Sequence, residues 1–291
     1  MSKIHFRDYD ELYRDIAKWE RQLPQFDAVC GVPRSGLIPA TYIATRRNIR
    51  MVELCRLVEN PDDIIKRSPL RDVNPVMRYD RPFGNRLLIV DDTSSDQSVT
   101  FTDLREKLAG VSGLEIAFAA VYRASAQSKV DFFYDTIPQP RIFGWNWFRH
   151  WTLRSAMLDC DGVLCEDWKG PPEKDDDPAF VEHVKNAKPL YIPHVPVQAV
   201  VTSRIERYRE LTAAWLKRHG VQYNKLIMHP AVTPELRREM RDHAERKALA
   251  YVRGFKSKPA SLFVESDERQ ARKIAEISKK PVLCTDTMKM F

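Results

Sequence analysis

Long apolar runs are missing from this sequence. A membrane-spanning helix needs about 18 consecutive apolar residues, and the longest run, around Ile116 to Tyr122, is only strand-sized. The first residues are charged and no apolar signal core follows them, so neither export nor a membrane partner is expected. Cysteine is scarce and scattered. Cys30, Cys55, Cys160, Cys165 and Cys284 are odd in number and lack the paired CxxC spacing that zinc prefers. Those inside apolar runs read as small buried hydrophobes, and all five as reduced thiols of a cytoplasmic protein. Charge of one sign is also missing. The net charge of +7 is spread with both signs interspersed, whereas a nucleic-acid surface would show a one-sided basic stripe with aromatics. The cluster Arg237, Arg238, Arg241, Arg246 and Lys247 is broken by Glu239, Asp242 and Glu245, as on a solvated helix face. Anionic small molecules suit this balance, and nucleic acid is a less favoured partner. Internal repeats are absent, and the only biased segment is the acidic loop Glu173–Asp177.

What the chain does hold is alternation. Short apolar runs separated by amphipathic stretches predict parallel sheets with crossover helices, and 291 residues allow two domains. The expected fold is therefore α/β, with two doubly wound parallel-sheet domains at 1–150 and 151–291. In the first, strands are predicted at Asp27–Val32, Met51–Cys55, Arg86–Asp91 and Glu115–Tyr122. Helices are predicted at Asp8–Gln22, Leu37–Arg47 and Ser98–Leu108. Glu59–Asn85, charged and broken by proline, reads as a long loop or small hood over a site. The aromatic stretch Ile142–Trp151 reads as a packing seam between the domains. In the second, strands are predicted at Ala156–Asp159, Gln198–Thr202, Lys225–Met228, Ser261–Glu265 and Pro281–Thr285. Helices are predicted at Ala179–Asn186, Ile205–His219, Pro234–Tyr251 and Glu268–Lys279.

The second half carries chemistry at its strand ends. AMLDCDGVLCEDW sets Asp159 and Asp161 just past an apolar strand, followed by Gly162, where ligands of open α/β sheets bind. Two such carboxylates can work on one phosphorus, one as nucleophile and the other as proton donor to the leaving oxygen. VVTSR ends a later strand with Thr202 and Ser203, whose hydroxyl and N–H groups suit phosphoryl oxygens. Lys247 offers a neutralising charge, with Lys225 as a rival. LFVESD ends another strand with Glu265 and Asp267, either of which can meet a metal. This series resembles the haloacid dehalogenase superfamily of aspartate-based phosphatases. The resemblance implies magnesium held by Asp159, Asp161 and one of Glu265 and Asp267, beneath a small cap. The segment from Thr202 to Gly220 is also similar to the polynucleotide kinase 3′-phosphatase branch, which would let Arg204 reach a substrate phosphate.

The first half presents NRLLIVDDTSSDQSVT, a strand ending in Asp91 and Asp92 and leading through a hydroxyl-rich loop to a helix. Adjacent acids can bind ribose hydroxyls or magnesium, and a loop opening a helix can bind phosphate. Upstream, CGVPRSGL places Arg34, Ser35 and Gly36 in a turn suited to pyrophosphate. Together these resemble the type I phosphoribosyltransferases over about residues 1 to 140, implying phosphoribosyl pyrophosphate and magnesium as ligands. Ser95, Asp96 and Ser98 would then hold the 5′-phosphate, and Arg67, Arg71 and Arg78 would ride on the hood. One departure matters: the phosphate loop has no glycine, and Asp96 would repel a phosphate unless it stands in for the base-like acid that some members carry.

The resulting expectation is a bifunctional nucleotide-metabolism enzyme, joining phosphoribosyl transfer to hydrolysis of small phosphate esters. The alternative is a phosphatase for nucleotides or nucleic-acid 3′-phosphate ends, with the first domain binding or sensing ribose phosphate. A homodimer is compatible with either.

Overall fold

Asp8 starts the first long helix by accepting the Glu11 N–H at 2.8 Å, while the Glu11 carboxylate accepts the Asp8 N–H at 3.0 Å. A short strand, β1 (His5–Arg7), precedes it. The helix α1 (Tyr9–Glu20) then buries Leu12, Ile16 and Trp19, at spacings of four and three residues that share one helix face. In the computed structural model, residues 4–61, 84–96, 100–172, 174, 177–254 and 261–291 are described. They form two compact units, Met1–Arg141 and Ile142–Phe291.

The first unit is built on β2 (Ala28–Gly31), β3 (Arg50–Val52), β4 (Arg86–Ser94), β5 (Glu115–Arg123) and β6 (Phe132–Thr136). All pair in parallel in the order β3-β2-β4-β5-β6. Helices α2 (Leu37–Arg47), α3 (Leu54–Glu59) and α4 (Thr100–Leu108) connect them. The chain runs one way from β2 and the other way from β4. The crevice beyond their carboxyl ends is thus the switch point where ligands of such sheets sit.

Past the short strand β7 (Arg141–Phe143), the second unit has β8 (Ala156–Leu158), β9 (Ala199–Ile205), β10 (Leu226–His229), β11 (Leu262–Glu265), β12 (Val282–Cys284) and β13 (Lys289–Met290). Their order is β10-β9-β8-β11-β12-β13, parallel except for the antiparallel β13 edge. Its switch point lies between β8 and β11. The helices are α5 (Pro178–Asn186), α6 (Arg209–Arg218), α7 (Pro234–Met240), α8 (His243–Arg253) and α9 (Glu268–Ser278). The buried aliphatic and aromatic residues of β8, β9, β11 and β12 pack with α8 and α9, around Met157, Val201, Tyr251, Phe263 and Ile274. Trp147 is buried, and with Phe148 it packs on Tyr191 of the same unit.

Several elements differ from the sequence-based expectation. The strand predicted over Met51–Cys55 ends at Val52, and Cys55 lies in α3. The helix predicted over Pro234–Tyr251 is two helices, because Arg241 takes φ +48° and stops α7. β9 runs three residues past Thr202 and delays α6 to Arg209. β6 was not foreseen; its residues are half-buried or exposed, as suits a strand at the sheet edge.

Candidate functional site

In the first unit the turn after β2 lies flat against β4. A Cβ on Gly36 would sit 2.5 Å from the Val32 carbonyl oxygen and 2.7 Å from that of Val90, so only glycine lets the turn approach this closely. That approach lets the Ser35 hydroxyl donate to Asp92 Oδ1 at 2.8 Å, while Arg34 stays exposed. Asp92 is buried and its own N–H donates to Asp91 Oδ1 at 2.8 Å. Burial, reinforced by the Asp92 charge, pushes the Asp91 carboxyl up to about 9.

The loop after β4 is tied down by the chain itself. Asp96 accepts from the Ser125 hydroxyl at 2.9 Å and from the Ser128 hydroxyl at 2.7 Å, which joins it to the loop after β5. The carboxylate that the sequence set against an incoming phosphate is therefore engaged by two hydroxyls. Beneath it Arg141, almost fully buried, donates to the Ser94 carbonyl at 2.8 Å and to that of Ile137 at 3.3 Å. Sequence reasoning missed this arginine, which sits in a proline-flanked stretch without a motif. Ser95 is half-buried beside the loop. Ser98 and the hood arginines Arg67, Arg71 and Arg78 lie outside the described residues.

In the second unit Asp159 follows β8, Thr202 lies on β9 and Glu265 ends β11. Lys247 of α8 reaches the ends of β8 and β11. Its ammonium donates to Asp159 Oδ2 at 2.7 Å, to Glu265 Oε2 at 2.6 Å and to Gln270 Oε1 at 3.2 Å. The lysine, the aspartate and the glutamate are all buried. Burial pushes the Asp159 carboxyl up; Lys247 opposes this, and the Glu265 charge adds to it. Two carboxylates thus share one ammonium. Asp267 is placed differently, since its side chain caps α9 by accepting the Gln270 N–H at 2.8 Å. Of the two acids left open by the sequence, Glu265 is the one that meets Asp159. Lys225, the rival of Lys247, is exposed and makes no such contact.

Asp161 is gripped by Arg204, which is 1% exposed. The guanidinium donates to Oδ2 at 2.9 Å and to Oδ1 at 2.6 Å, and a further nitrogen donates to Thr212 at 3.3 Å. Burial alone would raise the Asp161 carboxyl, but Arg204 holds it below the usual carboxylate range. The proton-donor role expected of Asp161 does not match this state, because a carboxylate fixed as the anion has no proton to give. Arg204 likewise points at Asp161, not at open space. His183, unforeseen in the sequence, stands with Nε2 at 3.7 Å from Asp161 Oδ1. Thr202 accepts the Arg204 N–H at 3.1 Å, and the Ser203 hydroxyl meets His243 Nδ1 at 3.1 Å. Gln270, Thr212 and His183 carry no sequence signal that would have singled them out.

The donor sets suit a hard divalent cation. In the second unit Asp159, Asp161 and Glu265 outnumber Lys247 and Arg204 by one, and carboxylate oxygens are what magnesium takes. In the first, no cation pairs with Asp91 among the described residues, and burial followed by the Asp92 charge raises its carboxyl.

No family model matches the chain. Over 151 residues, half of this chain and 87% of the relative, it is 31% identical to the xanthine-guanine phosphoribosyltransferase of Idiomarina loihiensis. Over that half, the chain belongs to the phosphoribosyltransferase family. The matched length is that of one of the two units. Among solved structures, the xanthine-guanine-hypoxanthine phosphoribosyltransferase of Helicobacter pylori is 13% identical with a TM-score of 0.38, covering 50% of this chain and 94% of that one. A purine phosphoribosyltransferase from Pyrococcus horikoshii is 20% identical with a TM-score of 0.34, over 50% and 94%. Among the described residues, no helix is long and apolar enough to cross a membrane.

Proposed function

We propose that the first unit transfers a phosphoribosyl group from phosphoribosyl pyrophosphate to a purine base, and that the second hydrolyses phosphate monoesters on Asp159. The observation that carries the first part is the relative's activity on xanthine and guanine together with the acid pair Asp91–Asp92 at the switch point, facing the Ser35–Gly36 turn. In the transfer, the bond from the ribose anomeric carbon to pyrophosphate breaks, and a bond to a purine ring nitrogen forms as that nitrogen gives up its proton. Asp91 and Asp92 would hold the ribose hydroxyls and face the positive charge developing on the ring. The turn Arg34, Ser35 and Gly36 would receive the pyrophosphate, and the loop with Ser95, Asp96 and Ser98 the 5′-phosphate. Magnesium, held by Asp91 and Asp92 here and by Asp159 and Glu265 in the second unit, would supply positive charge against the phosphate oxygens.

The second part rests on Lys247 joining Asp159 and Glu265 at two strand ends, with Thr202 of β9 lining the same cavity as Lys247. An Asp159 oxygen attacks phosphorus, the bond to the leaving oxygen breaks and an aspartyl phosphate forms. Water then cleaves that intermediate, releasing inorganic phosphate and restoring the carboxylate. Lys247 neutralises the nucleophile and the incoming anion, and Thr202 and Ser203 bind phosphoryl oxygens. Asp161 is the acid nearest in sequence to the nucleophile and would protonate the leaving oxygen, for which it must first take up a proton, since Arg204 holds it as the anion.

A specific observation favours a second reading of the first unit. The Asp96 contacts to Ser125 and Ser128 close the phosphate loop with its own acid, as suits a nucleotide-binding module without turnover. One experiment separates the readings. The purified full chain with magnesium, phosphoribosyl pyrophosphate and guanine, xanthine, hypoxanthine or adenine should yield pyrophosphate and a nucleotide, and should release phosphate from a panel of monoesters. Binding of phosphoribosyl pyrophosphate without any nucleotide formed would establish the sensing module instead. Phosphate release from no ester would overturn the second unit's assignment.

A further inference from the structure

Beside the phosphoryl site of the second unit lies a cavity of about 580 Å³ that the hydrolysis just described leaves unused. Thr202, Ser203 and Lys247 are among its lining residues, and Lys247 also donates to Asp159. The cavity runs between β10 and α8, with Val201, Ile227 and Ala250 on its apolar wall. Its charged lining is of one sign. Arg209, Lys225, Arg246 and Arg253 face it together with Lys247, and no Asp or Glu lines it among the described residues. This differs from the rest of the unit, where acids and bases alternate along the helices.

The two histidines of the lining add no charge. His229 and His243 pack ring to ring at 5.6 Å. Burial, with Arg237 and His229 nearby, lowers His243 to about 4, so it is neutral near pH 7. Positive charge therefore comes from side chains that stay protonated; Arg209 pairs with Glu206, Arg246 with Asp242 and Lys247 with Asp159 and Glu265, so Lys225 and Arg253 supply most of the excess. Arg253 lies six residues beyond Lys247 on α8, roughly 9 Å along the helix axis. An offset of that size is on the scale of one sugar with its phosphates and is short for a run of several nucleotides. The volume points the same way, since pockets of roughly 300 to 1,000 Å³ accommodate small molecules.

We infer that this cavity receives a second phosphate, making the substrate of the second unit a small phosphate monoester whose alcohol part bears a further phosphate group. One phosphate sits at Asp159, the sugar lies along the apolar wall, and the other phosphate meets Arg246, Arg253 and Lys225. The inference rests on the assignment of Asp159 as the phosphoryl site. Hydrolysis itself is unchanged: the scissile P–O bond breaks, the alcohol takes a proton, and inorganic phosphate and a monophosphorylated alcohol leave.

Adenosine 3′,5′-bisphosphate tests it against adenosine 5′-monophosphate and adenosine 3′-monophosphate on the full chain with magnesium. The ratio of kcat/KM for the bisphosphate to that for either monophosphate should be on the order of 10 at low salt, and should shrink as salt screens the cavity. Replacing two exposed cations, Arg253→Ala with Lys225→Ala, should bring the ratio to about 2 or less, while Arg253→Lys should keep most of it. A ratio near 1 in the wild type, or one that ignores the double substitution, overturns the proposal. Calorimetry with Asp159→Asn full chain reads the cavity without turnover. If that protein binds the bisphosphate and the added double substitution abolishes binding, the cavity assignment stands even where no ester is hydrolysed. Hydrolysis of monophosphates with no bisphosphate preference sinks the cavity assignment and leaves the Asp159 reading intact. A kcat/KM that keeps climbing from 3′-phosphorylated dinucleotide to octanucleotide would overturn the small-molecule limit in favour of a strand.

Discussion

Asp91–Asp92 lie on β4 and Asp159–Asp161 just past β8, each on a strand that flanks its own sheet's switch point. They are compensated in opposite ways. Asp159 and Asp161 are one residue apart, point to different partners, and each meets a buried cation within 2.7 Å, Lys247 and Arg204 respectively. Asp91 and Asp92 are adjacent, and Asp91 is set against its neighbour's charge with burial on top. Position in the fold decides this. Asp159 and Asp161 follow a strand, with one residue between them, and diverge to separate buried cations. Asp91 and Asp92 are successive residues of β4, whose side chains turn to opposite faces. The second pair is thus held by cations, whereas in the first Asp92 takes the Ser35 hydroxyl and Asp91 is set against burial.

The largest test of that contrast is Asp159→Asn. The amide keeps the shape and can still accept from Lys247, yet it cannot attack phosphorus. Monoester turnover should fall by at least about 10³-fold, with circular dichroism and unfolding midpoint close to wild type. Retention of more than a few per cent of the rate on every substrate found would remove Asp159 as the nucleophile.

Next in size is Lys247→Met. This leaves Asp159 and Glu265 facing each other in a buried crevice, and breaking such a pair costs about 3–5 kcal/mol. Urea unfolding should show that loss. Adding Glu265→Gln to the variant should recover part of it by removing one of the two charges. A midpoint within error of wild type would mean that the triad is not held together by charge in solution.

These residues also show how far the sequence could be read. The sheets were legible because apolar runs such as Leu87–Val90 and Leu262–Val264 have no other way to bury themselves. The strand-end acids were legible because function and turn chemistry coincide in DCDG and VDD. Gly36 was legible as part of a turn, though the reason for it, contact with two carbonyl oxygens, is a matter of packing. What could not be read was pairing across long separations. Arg204 was expected to reach substrate, but its guanidinium finds Asp161 across 43 residues. Asp96 finds Ser125 and Ser128 across about 30. The different settings of Glu265 and Asp267 were also hidden, since Glu265 meets Lys247 while Asp267 caps α9. The Arg241 break was equally hidden, because a left-handed arginine is set by the surroundings and not by propensity.

The first pair makes a pH prediction of intermediate size. The folded protein keeps Asp91 protonated up to about 9, whereas the unfolded chain ionises it near 4. Between those values the folded state holds a proton that the unfolded state has lost, so stability falls as pH rises through this window and levels off above it. Asp91→Asn removes that dependence. Urea midpoints at pH 5 and pH 8 should therefore differ less for Asp91→Asn than for wild type. Magnesium with phosphoribosyl pyrophosphate should flatten the wild-type curve by giving the charged carboxylate a partner. An equal fall in both proteins would show that Asp91 is compensated in solution, as Asp159 and Asp161 are.

The smallest expected effect concerns the loop that separates the Asp91–Asp92 site from its presumed phosphate. Asp96 is exposed, so its two hydroxyl contacts are worth little individually; exposed hydrogen bonds to a charged group contribute on the order of 1 kcal/mol or less after solvent exchange. Their consequence is positional, because they fix the loop after β4 to the loop after β5. Two outcomes can be told apart with Ser125→Ala combined with Ser128→Ala. If the contacts hold the loop in a closed, ligand-excluding arrangement, freeing Asp96 lets the loop reach phosphate, and affinity for phosphoribosyl pyrophosphate rises a few-fold. If they hold the loop in the shape that phosphate needs, the same substitutions loosen it and affinity drops a few-fold. The lack of glycine favours the second outcome: the stretch Ser94–Asp96 has only side chains with which to fix its shape, and an acid held by two hydroxyls is less repulsive to phosphate than a free one. The expected result is therefore a drop of roughly 3-fold in affinity by calorimetry, with the urea midpoint almost unmoved. A rise would establish Asp96 as an internal stand-in for the ligand and would move the first unit from catalysis toward sensing.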